Sequence, residues 1–271
     1  MTEGRKAIFL DIDGTLSRHG QQPSQEDVAA LRAARAQGHA VLINTGRSRG
    51  ILPENLVDVD YLDGYVLGCG TQMLLHGREV FSDCLDRPLL RDAAAHFLAA
   101  RGRCCLFEAE EGAYIVGEEG GFSPWPGAPR ILHPDDFETR FPNARVTKLT
   151  VFGTITPEEE ALYAGRLEPV LQSSGIWYEA ILPGRGKGAG LRRACRCLGI
   201  PVENSIAIGD SENDLDMFAH AGVAVAMENA SPDALRAARY VTGPCGQGVA
   251  QAVRTLVLGE DGRLLKMGEN A

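Results

Sequence analysis

The sequence lacks long apolar segments and an excess of basic residues, and both absences narrow the range of functions. Its 271 residues contain no apolar run of the roughly 20 residues needed to span a bilayer. The first residues carry no apolar export signal, so we expect a cytoplasmic protein without a membrane partner. Acidic residues outnumber basic ones by 36 to 27, and the net charge is −9. A nucleic-acid partner is therefore not expected, because such proteins normally carry a basic face.

Cysteine is present, but not in a pattern that builds a disulfide framework or a zinc site. The seven cysteines are an odd number at irregular spacings. Cys195 and Cys197, like the adjacent Cys104 and Cys105, do not have the spacing of zinc ligands. We predict free thiols that behave as small apolar side chains.

Three common nucleotide-binding and metal-binding motifs are also missing. The stretch Gly184–Gly188 looks like a phosphate-binding loop, but it has Gly188 where Ser or Thr must follow the lysine. Residues 210–221 have Leu215 and Ala221 where a calcium-binding loop requires Gly and Glu. No G-x-G-x-x-G follows the first strand, so a dinucleotide-binding fold is not supported.

What is present is the composition of a globular protein and an alternation of strands and helices. Hydrophobic residues make up 44% of the chain and charged residues 23%. Apolar runs of strand length, such as Ala7–Leu10 and Ala40–Ile43, alternate with helical periodicity in both flanking parts of the chain. This order predicts an α/β fold with a Rossmann-like, doubly wound parallel sheet core, formed by residues 1–83 and 183–271.

The middle third of the chain has a different pattern. Its strands and helices follow an α+β order, interrupted by a loop rich in Gly and Pro at residues 120–129. Residues 157–171 are predicted to form a single helix with proline at its start. We predict that residues 84–182 form a separate α+β domain, inserted into the parallel-sheet domain.

Two carboxylates follow the first predicted strand. Because side chains alternate along a strand, Asp11 and Asp13 fall on the same side at its carboxyl end, where Gly14 permits a sharp turn. Converging carboxylates require a metal ion or a proton between them, although an isolated pair of this kind is more often a solvated turn. Open parallel sheets bind ligands at this edge. The hydroxyl of Thr45 and the N–H of Gly46 end the next strand at the same edge and could contact an anion.

Later parts of the chain bring further polar groups to that edge. Lys187 begins a helix and Asp210 follows another buried strand. Asn213 and Asp214 lie in the turn before the next helix, from which either can reach back. Three or four carboxylates around one point demand a divalent cation, and a hard oxygen site with few protein ligands suits Mg²⁺. With a lysine and a threonine opposite the metal, this combination indicates phosphoryl chemistry.

Five segments carry a family resemblance, and they occur in a fixed order. They are Asp11–Thr15, Asn44–Arg47, Gly186–Gly188, Gly209–Asp214 and Ala226–Ala230. With this order and spacing, the chain resembles the haloacid dehalogenase superfamily, in particular Cof-type phosphatases with a type-two, subclass B cap. The resemblance extends over nearly the whole chain and implies that the inserted domain is a cap, which acts as a lid over the substrate.

The resemblance implies a role for each matching residue. Asp11 is expected to be the nucleophile that forms an aspartyl-phosphate, and Asp13 the general acid and base. Phosphate binding is expected from Thr45, Gly46, Lys187 and Asn213. Mg²⁺ binding is expected from Asp11, the main-chain carbonyl of Asp13, Asp210 and, in the surrounding shell, Asp214.

The chain departs from its relatives where the leaving group is expected to be recognised. Relatives often have Asn-Gly after the third strand, at the mouth of the site, where this chain has Cys69 and Gly70. Substrate recognition is therefore expected to differ at Cys69. In the inserted domain, the candidates for exposed residues that select the leaving group are Glu108, Trp125, Arg130 and Lys148.

The expected activity is Mg²⁺-dependent hydrolysis of a small soluble phosphate ester through an aspartyl-phosphate. A sugar phosphate is the default substrate, and phosphorylated cofactors such as pyridoxal phosphate or flavin mononucleotide are the alternative. Two competing hypotheses are a phosphomutase of the same superfamily and a non-catalytic metabolite-binding protein on the same scaffold. A phosphomutase would require a bisphosphate activator, whereas a binding protein would have no need of Asp13.

Overall fold

The chain divides into two compact units in the computed structural model, which describes residues 4–18, 20–117, 127–171, 175–260, 262 and 264–266. The core unit comprises Met1–Gly46, Pro53–Phe81 and Gly186–Ala271. The insert unit comprises Arg47–Leu52 and Ser82–Arg185. No helix within the described ranges is long and apolar enough to cross a membrane.

The described residues form strands and helices that are numbered in chain order. Strands β1 to β14 are Ala7–Leu10, Ala40–Asn44, Gly64–Leu67, Gln72–Leu75, Arg78–Ser82, Cys104–Ala109, Ala113–Val116, Val146–Phe152, Glu168–Leu171, Trp177–Ile181, Ser205–Gly209, Val223–Ala226, Tyr240–Val241 and Leu265–Lys266. Helices α1 to α8 are Gln25–Ala36, Arg87–Ala99, Asp136–Thr139, Pro157–Tyr163, Lys187–Leu198, Leu215–His220, Pro232–Ala237 and Gly248–Leu256. Short 3-10 helices are Arg49–Ile51, Glu54–Leu56, Val202–Asn204 and Glu212–Asp214.

Strand β1 lies at the centre of the core sheet. The described strands of this sheet run in the order β14-β13-β12-β11-β1-β2-β3-β4-β5, and those from β13 to β3 pair in parallel. Ala7 pairs with Ser205 on one side and with Ala40 on the other. The winding therefore reverses at β1, which places the carboxyl ends of β1, β2 and β11 where such sheets bind ligands. The predicted doubly wound, Rossmann-like parallel sheet is confirmed.

The sequence of β1 suits a strand that is covered on both faces. All four of its residues, Ala7–Leu10, are completely buried, as is usual in a parallel sheet with helices on either side. Phe9 packs in one cluster with Leu191 of α5 and Met217 of α6. The rigid strand thus fixes the position of the residue that follows it, Asp11.

The insert unit is an antiparallel sheet that buries one of its faces in an apolar cluster. Its described strands run in the order β7-β6-β8-β10-β9. Phe107, Leu149 and Tyr178 on adjacent strands share that cluster with Phe97 of α2. The residues that alternate with them lie on the opposite face of the sheet.

The segment Arg47–Leu52 belongs to the insert unit, whereas the sequence placed it within the parallel-sheet domain. A Cβ on Gly50 would lie 2.0 Å from the nitrogen of Gly112, so the two backbones meet where only glycine fits. The main-chain N–H of Ser48 donates to Oε2 of Glu108 at 3.4 Å. These contacts link residues far apart in sequence, which periodicity does not reveal.

The predicted single helix over residues 157–171 is wrong. Helix α4 ends at Tyr163, and Glu168–Leu171 forms the edge strand β9, antiparallel to β10. Gly165 adopts the left-handed conformation, with φ of 71°, just after the end of the helix. Pro169 is tolerated in β9 because an edge strand can do without one N–H. Pairing with β10 therefore overrides the helical propensity of this segment.

Candidate active site

Three adjacent strands of the core unit deliver polar residues to one edge of the sheet. Asp11 follows β1, Thr45 follows β2, and Asp210 follows β11. The N–H of Asp11 donates to the carbonyl of Ile208 at 3.0 Å, and that of Thr45 donates to the carbonyl of Val66 at 3.0 Å. The sheet's hydrogen bonding therefore continues one residue past each strand and fixes Asp11 and Thr45.

Lys187, the first residue of α5, lies at the centre of the candidate site. Its Nζ donates to Oδ1 of Asp11 at 2.6 Å and to Oδ1 of Asp214 at 2.7 Å. The third acceptor is Oδ1 of Asn213 at 2.8 Å. Burial opposes the charge of this lysine, but Asp11 and Asp214 outweigh it and raise the pKa of Lys187. The side chain is therefore a fixed cation beside Asp11.

The carboxylates at this edge repel one another. Burial raises the pKa of Asp11 to about 7, and the neighbouring Lys187 offsets only part of the effect. Burial also raises the pKa of Asp210 to about 6, with Asp214 adding to the rise and a hydrogen bond from Thr15 opposing it. Lys187 alone therefore does not neutralise these carboxylates, and a further cation would stabilise their ionised forms.

The donor set fits a divalent cation such as Mg²⁺. Carboxylate oxygens of Asp11, Asp210 and Asp214 lie within 4.8 Å of one another, and hard oxygen donors suit this ion. Asp214 is already engaged, because its Oδ2 accepts from the N–H groups of Asp210 and Ser211 at 2.9 and 3.0 Å. With its Oδ1 on Lys187, Asp214 can orient the site, while Asp11 and Asp210 keep oxygens for a metal.

The amide of Asn213 is oriented by two donors. Lys187 Nζ at 2.8 Å and the Ser211 hydroxyl at 2.9 Å both donate to its Oδ1. The amide NH₂ group is therefore directed away from Lys187 and can donate to an anion. This geometry suits the predicted contact between Asn213 and a phosphate.

The loop after β1 places Asp13 beside the carboxylate cluster. Gly14 has a φ of 90°, and a Cβ at this position would lie 2.3 Å from Oδ2 of Asp210. Glycine is therefore required both by the conformation and by the close approach. The carbonyl of Gly14 accepts from Nδ2 of Asn229 at 2.9 Å. Asp13 is half-buried and near enough to Asp210 to raise the pKa of that residue.

Cys69 lies next to the Thr45 loop in the core unit. Its N–H donates to the carbonyl of Thr45 at 3.2 Å, and the residue is only 5% exposed. Its φ of 54° is in the left-handed region, which is uncommon for residues other than glycine, asparagine and aspartate. Cys69, the predicted site of different leaving-group recognition, is therefore in contact with the loop predicted to bind phosphate.

The candidate residues of the insert unit are not all exposed, contrary to the prediction. Glu108 and Lys148 are 3% and 2% exposed. Lys148 pairs with Glu108 at 3.3 Å and, more closely, with Glu179 on the neighbouring strand. Arg130 is exposed, and its guanidinium donates to the carbonyl of Gly117 at 3.3 Å. The fourth candidate, Trp125, lies outside the described residues.

Sequence reasoning assigned no role to several residues that support these groups. Thr15 is fully buried, and its hydroxyl donates to Oδ1 of Asp210 at 2.9 Å. Glu179 completes the pair with Lys148. The available signal for Glu179 was a lone charged residue in an otherwise apolar strand, since a buried charge requires a partner. No comparable signal distinguished the hydroxyl of Thr15 from that of an ordinary turn residue.

Known proteins are similar to this chain in sequence and in fold. Residues 8–253 match the haloacid dehalogenase-like hydrolase family. The chain is 27% identical over 252 residues to a phosphoglycolate phosphatase of Methanothermobacter thermautotrophicus, a match that covers 92% of this chain and 97% of the relative. The structure is similar to that of BT4131, a sugar phosphatase of HAD subclass IIB, with a TM-score of 0.76, 27% identity and coverage of 93% and 98%. A haloacid dehalogenase-like hydrolase from B. subtilis has the same fold, with a TM-score of 0.74, 24% identity and coverage of 93% and 99%.

Proposed function

This chain belongs to the haloacid dehalogenase-like hydrolases and is a hydrolase of the phosphatase type, and we propose that it uses Mg²⁺ to hydrolyse a small phosphorylated metabolite. The reaction passes through an aspartyl-phosphate on Asp11. The observation that carries the proposal is the position of Lys187, whose Nζ joins Asp11 to Asp214 within one acidic cluster. Lys187 opposes the effect of burial on the pKa of Asp11 and so favours the ionised form that a nucleophile needs.

The first half of the reaction transfers the phosphoryl group to the enzyme. A carboxylate oxygen of Asp11 forms a bond to phosphorus as the bond to the leaving oxygen breaks, and Asp13 gives that oxygen a proton. In the second half, Asp13 takes a proton from a water that attacks the same phosphorus, and the bond to Asp11 breaks. Mg²⁺ held by Asp11, Asp210 and the main-chain carbonyl of Asp13 would neutralise phosphate charge.

The phosphate group is held by donors from several elements of the core unit. The hydroxyl of Thr45, the N–H of Gly46 and the oriented amide of Asn213 contact its oxygens, together with Lys187. Donors fixed in advance stabilise the charge of the transition state without reorganisation. The support for this set is that two donors orient the Asn213 amide and that the sheet fixes Thr45.

The leaving group is a small soluble metabolite, with a sugar phosphate as the first candidate and a phosphorylated cofactor as the second. Relatives of similar length include a sugar phosphatase and a phosphoglycolate phosphatase. The inserted domain predicted over residues 84–182 acts as the lid that selects the leaving group. Selection by Glu108, Lys148 and Arg130 is part of this proposal, with Cys69 contributing from the core unit.

A phosphate-release screen tests the proposed function. Purified protein with Mg²⁺ is incubated with a panel of sugar phosphates, phosphorylated cofactors and an aryl phosphate, in parallel without and with a sugar bisphosphate. Release of free phosphate supports the hydrolase, whereas activity that requires a bisphosphate and yields an isomeric ester indicates the phosphomutase. Asp11→Asn should abolish release while Asp233→Asn, at an exposed carboxylate of α7, should leave it unchanged. An Asp11→Asn protein with a near-normal rate would exclude Asp11 as the nucleophile.

A further inference from the structure

The peptide group between Lys187 and Gly188 is held from two sides. The carbonyl oxygen of Lys187 accepts a hydrogen bond from Nδ2 of Asn44 at 2.9 Å. The N–H of Gly188, the other half of the same peptide group, donates to Oδ2 of Asp216 at 2.7 Å. Asn44 belongs to β2 and Asp216 to α6, so two separate elements fix the backbone from which Lys187 extends.

Asp216 fits closely against the start of α5. A Cβ on Gly186 would lie 2.3 Å from Oδ2 of Asp216, and a Cβ on Gly188 would lie 2.6 Å from Oδ1 of the same residue. Larger residues at these two positions would therefore displace the carboxylate from the backbone. His220, one turn further along α6, contacts Oδ1 of Asp216 through its Nδ1 at 3.2 Å. The glycines on either side of Lys187 thus make room for an acceptor from another helix.

The start of α5 needs such an acceptor. The first N–H groups of a helix have no partner within the helix, and its dipole favours negative charge at this end. The N-cap residue of α5 is Gly186, which has no side chain to accept them. Asp216 provides the missing acceptor from α6.

We propose that Asp216 is a positioning residue for the reaction. With Asn44 it holds the Lys187–Gly188 peptide so that Nζ of Lys187 reaches Asp11, Asn213 and Asp214. The contacts described for Asp216 are with Gly188 and His220, so its influence on the reacting groups passes through the backbone of Lys187. The kinetic consequence rests on the proposed function, but the positioning of Lys187 does not.

Three variants separate positioning from a general effect on folding. Asp216→Ala removes the acceptor, whereas Asp216→Asn keeps an oxygen that can accept from Gly188, and asparagine and aspartate cap helices about equally well. Asp233→Ala is the matched control, because Asp233 is also the second residue of a six-residue core helix and its carboxylate pairs with Arg236 on the surface. Circular dichroism at the assay temperature establishes that each variant is folded.

The first measurement is kcat and KM for an aryl phosphate with saturating Mg²⁺. Asp216→Ala should lower kcat/KM by about 10- to 100-fold, since a displacement of about 1 Å at a catalytic group has an effect of this size. The loss should appear in kcat as well as in KM, because Lys187 contacts the nucleophile. The kcat/KM of Asp216→Asn should stay within about 3-fold of the parent value, and that of Asp233→Ala should equal the parent value. An Asp216→Ala protein that equals the control, or an Asp216→Asn protein as impaired as Asp216→Ala, would overturn the proposal.

The second measurement follows the position of Lys187 without using the reaction. Each protein is treated briefly with an amine-acylating reagent, and labelling of Lys187 is measured by peptide mass spectrometry. Lys187 is buried and held by three acceptors, so it should label slowly in the parent and in Asp233→Ala, and faster in Asp216→Ala. Equal labelling of the parent and Asp216→Ala would overturn the proposal. A parent protein that hydrolyses no phosphate ester would contradict the proposed function alone, since the labelling comparison does not depend on turnover.

Discussion

Replacing Asp210 by asparagine should stabilise the metal-free protein, although it removes a residue proposed to bind Mg²⁺. Asp210 shares a small volume with Asp11 and Asp214. Burial, and after it the charge of Asp214, raises the pKa of Asp210 to about 6. Asparagine has nearly the same shape, carries no charge and can still accept the hydroxyl of Thr15 at its amide oxygen. The substitution therefore removes repulsion and retains the local hydrogen bond.

The size of the effect follows from the pKa of Asp210. A rise from 3.8 to about 6 disfavours the ionised form in the folded protein by about 3 kcal/mol. Because Asp210 is partly exposed, solvent screening reduces this figure to about 1–2 kcal/mol. The folded-state pKa is the higher one, so the folded protein binds the proton more tightly and loses stability as the pH rises through about 6. The gain from Asp210→Asn should be complete at about pH 8 and nearly absent at about pH 4.

Thermal unfolding in EDTA measures this gain. At about pH 8, Asp210→Asn should melt about 2–8 °C above the parent, given about 2–4 °C per kcal/mol for a chain of this length. Added Mg²⁺ should raise the Tm of the parent and not that of the variant, because a ligand stabilises only the state that binds it. Asp233→Asn, at an exposed carboxylate, should change little in either buffer. The account is refuted if Asp210→Asn melts at or below the parent in EDTA at this pH.

Two further substitutions probe the metal site and the insert unit. Thr15→Val removes a hydrogen bond to ionised Asp210 and should weaken Mg²⁺ binding roughly 10-fold in a calorimetric titration. Thr15→Ser keeps the hydroxyl and should bind Mg²⁺ as the parent does. Equal affinities for the two variants would contradict the role of the hydroxyl. Lys148→Met should lower the free energy of unfolding of the insert unit by about 3–5 kcal/mol, because buried Glu108 and Glu179 would lose their ion pairs with Lys148. Denaturant titration by tryptophan fluorescence reports this loss, since Trp177 lies in strand β10 of that unit. Adding Glu108→Gln and Glu179→Gln should restore most of the stability, and a triple variant as unstable as Lys148→Met would argue against the charge explanation.

The family and the fold could be predicted from the sequence, and both are confirmed. Two kinds of information were sufficient: the local pattern of apolar residues, and the rule that parallel strands bring their carboxyl ends to one edge of the sheet. Apolar runs of strand length end at Asp11, Thr45 and Asp210, and parallel strands bring their carboxyl ends to one edge. The structure places these residues directly after three adjacent strands, while their chemical roles remain predictions.

What the sequence could not provide is the way side chains and main chain share partners. Asp214 is a residue of a type that often binds metal ions. Its carboxylate, however, already accepts hydrogen bonds from Lys187 and from two main-chain N–H groups. The orientation of the Asn213 amide depends on Ser211 and on Lys187 together. Such arrangements depend on distances of a few tenths of an ångström, and spacing along a chain does not encode them.

The insert unit was less predictable because the partners of its charged residues depend on which strands pair. Glu108, Lys148 and Glu179 each lie alone in an apolar strand, so each one resembles an exposed polar residue of a two-faced sheet. Only the neighbouring placement of β6, β8 and β10 turns the three charges into a buried pair network. The failure at residues 157–171 has the same origin, since β9 exists only because β10 is available to pair with it.

The central position of β1 has a consequence for how the site comes into existence during synthesis. Strand β2 begins at Ala40, so one neighbour of β1 leaves the ribosome soon after it, but the other neighbour begins at Ser205. The whole insert unit, which is closed by antiparallel pairs between nearby strands, is translated in between. Lys187 and Asp210 therefore join Asp11 only after most of the chain has been synthesised. A nascent chain that has reached the end of the insert unit contains Asp11, the proposed nucleophile, but not yet Lys187, the cation that contacts it.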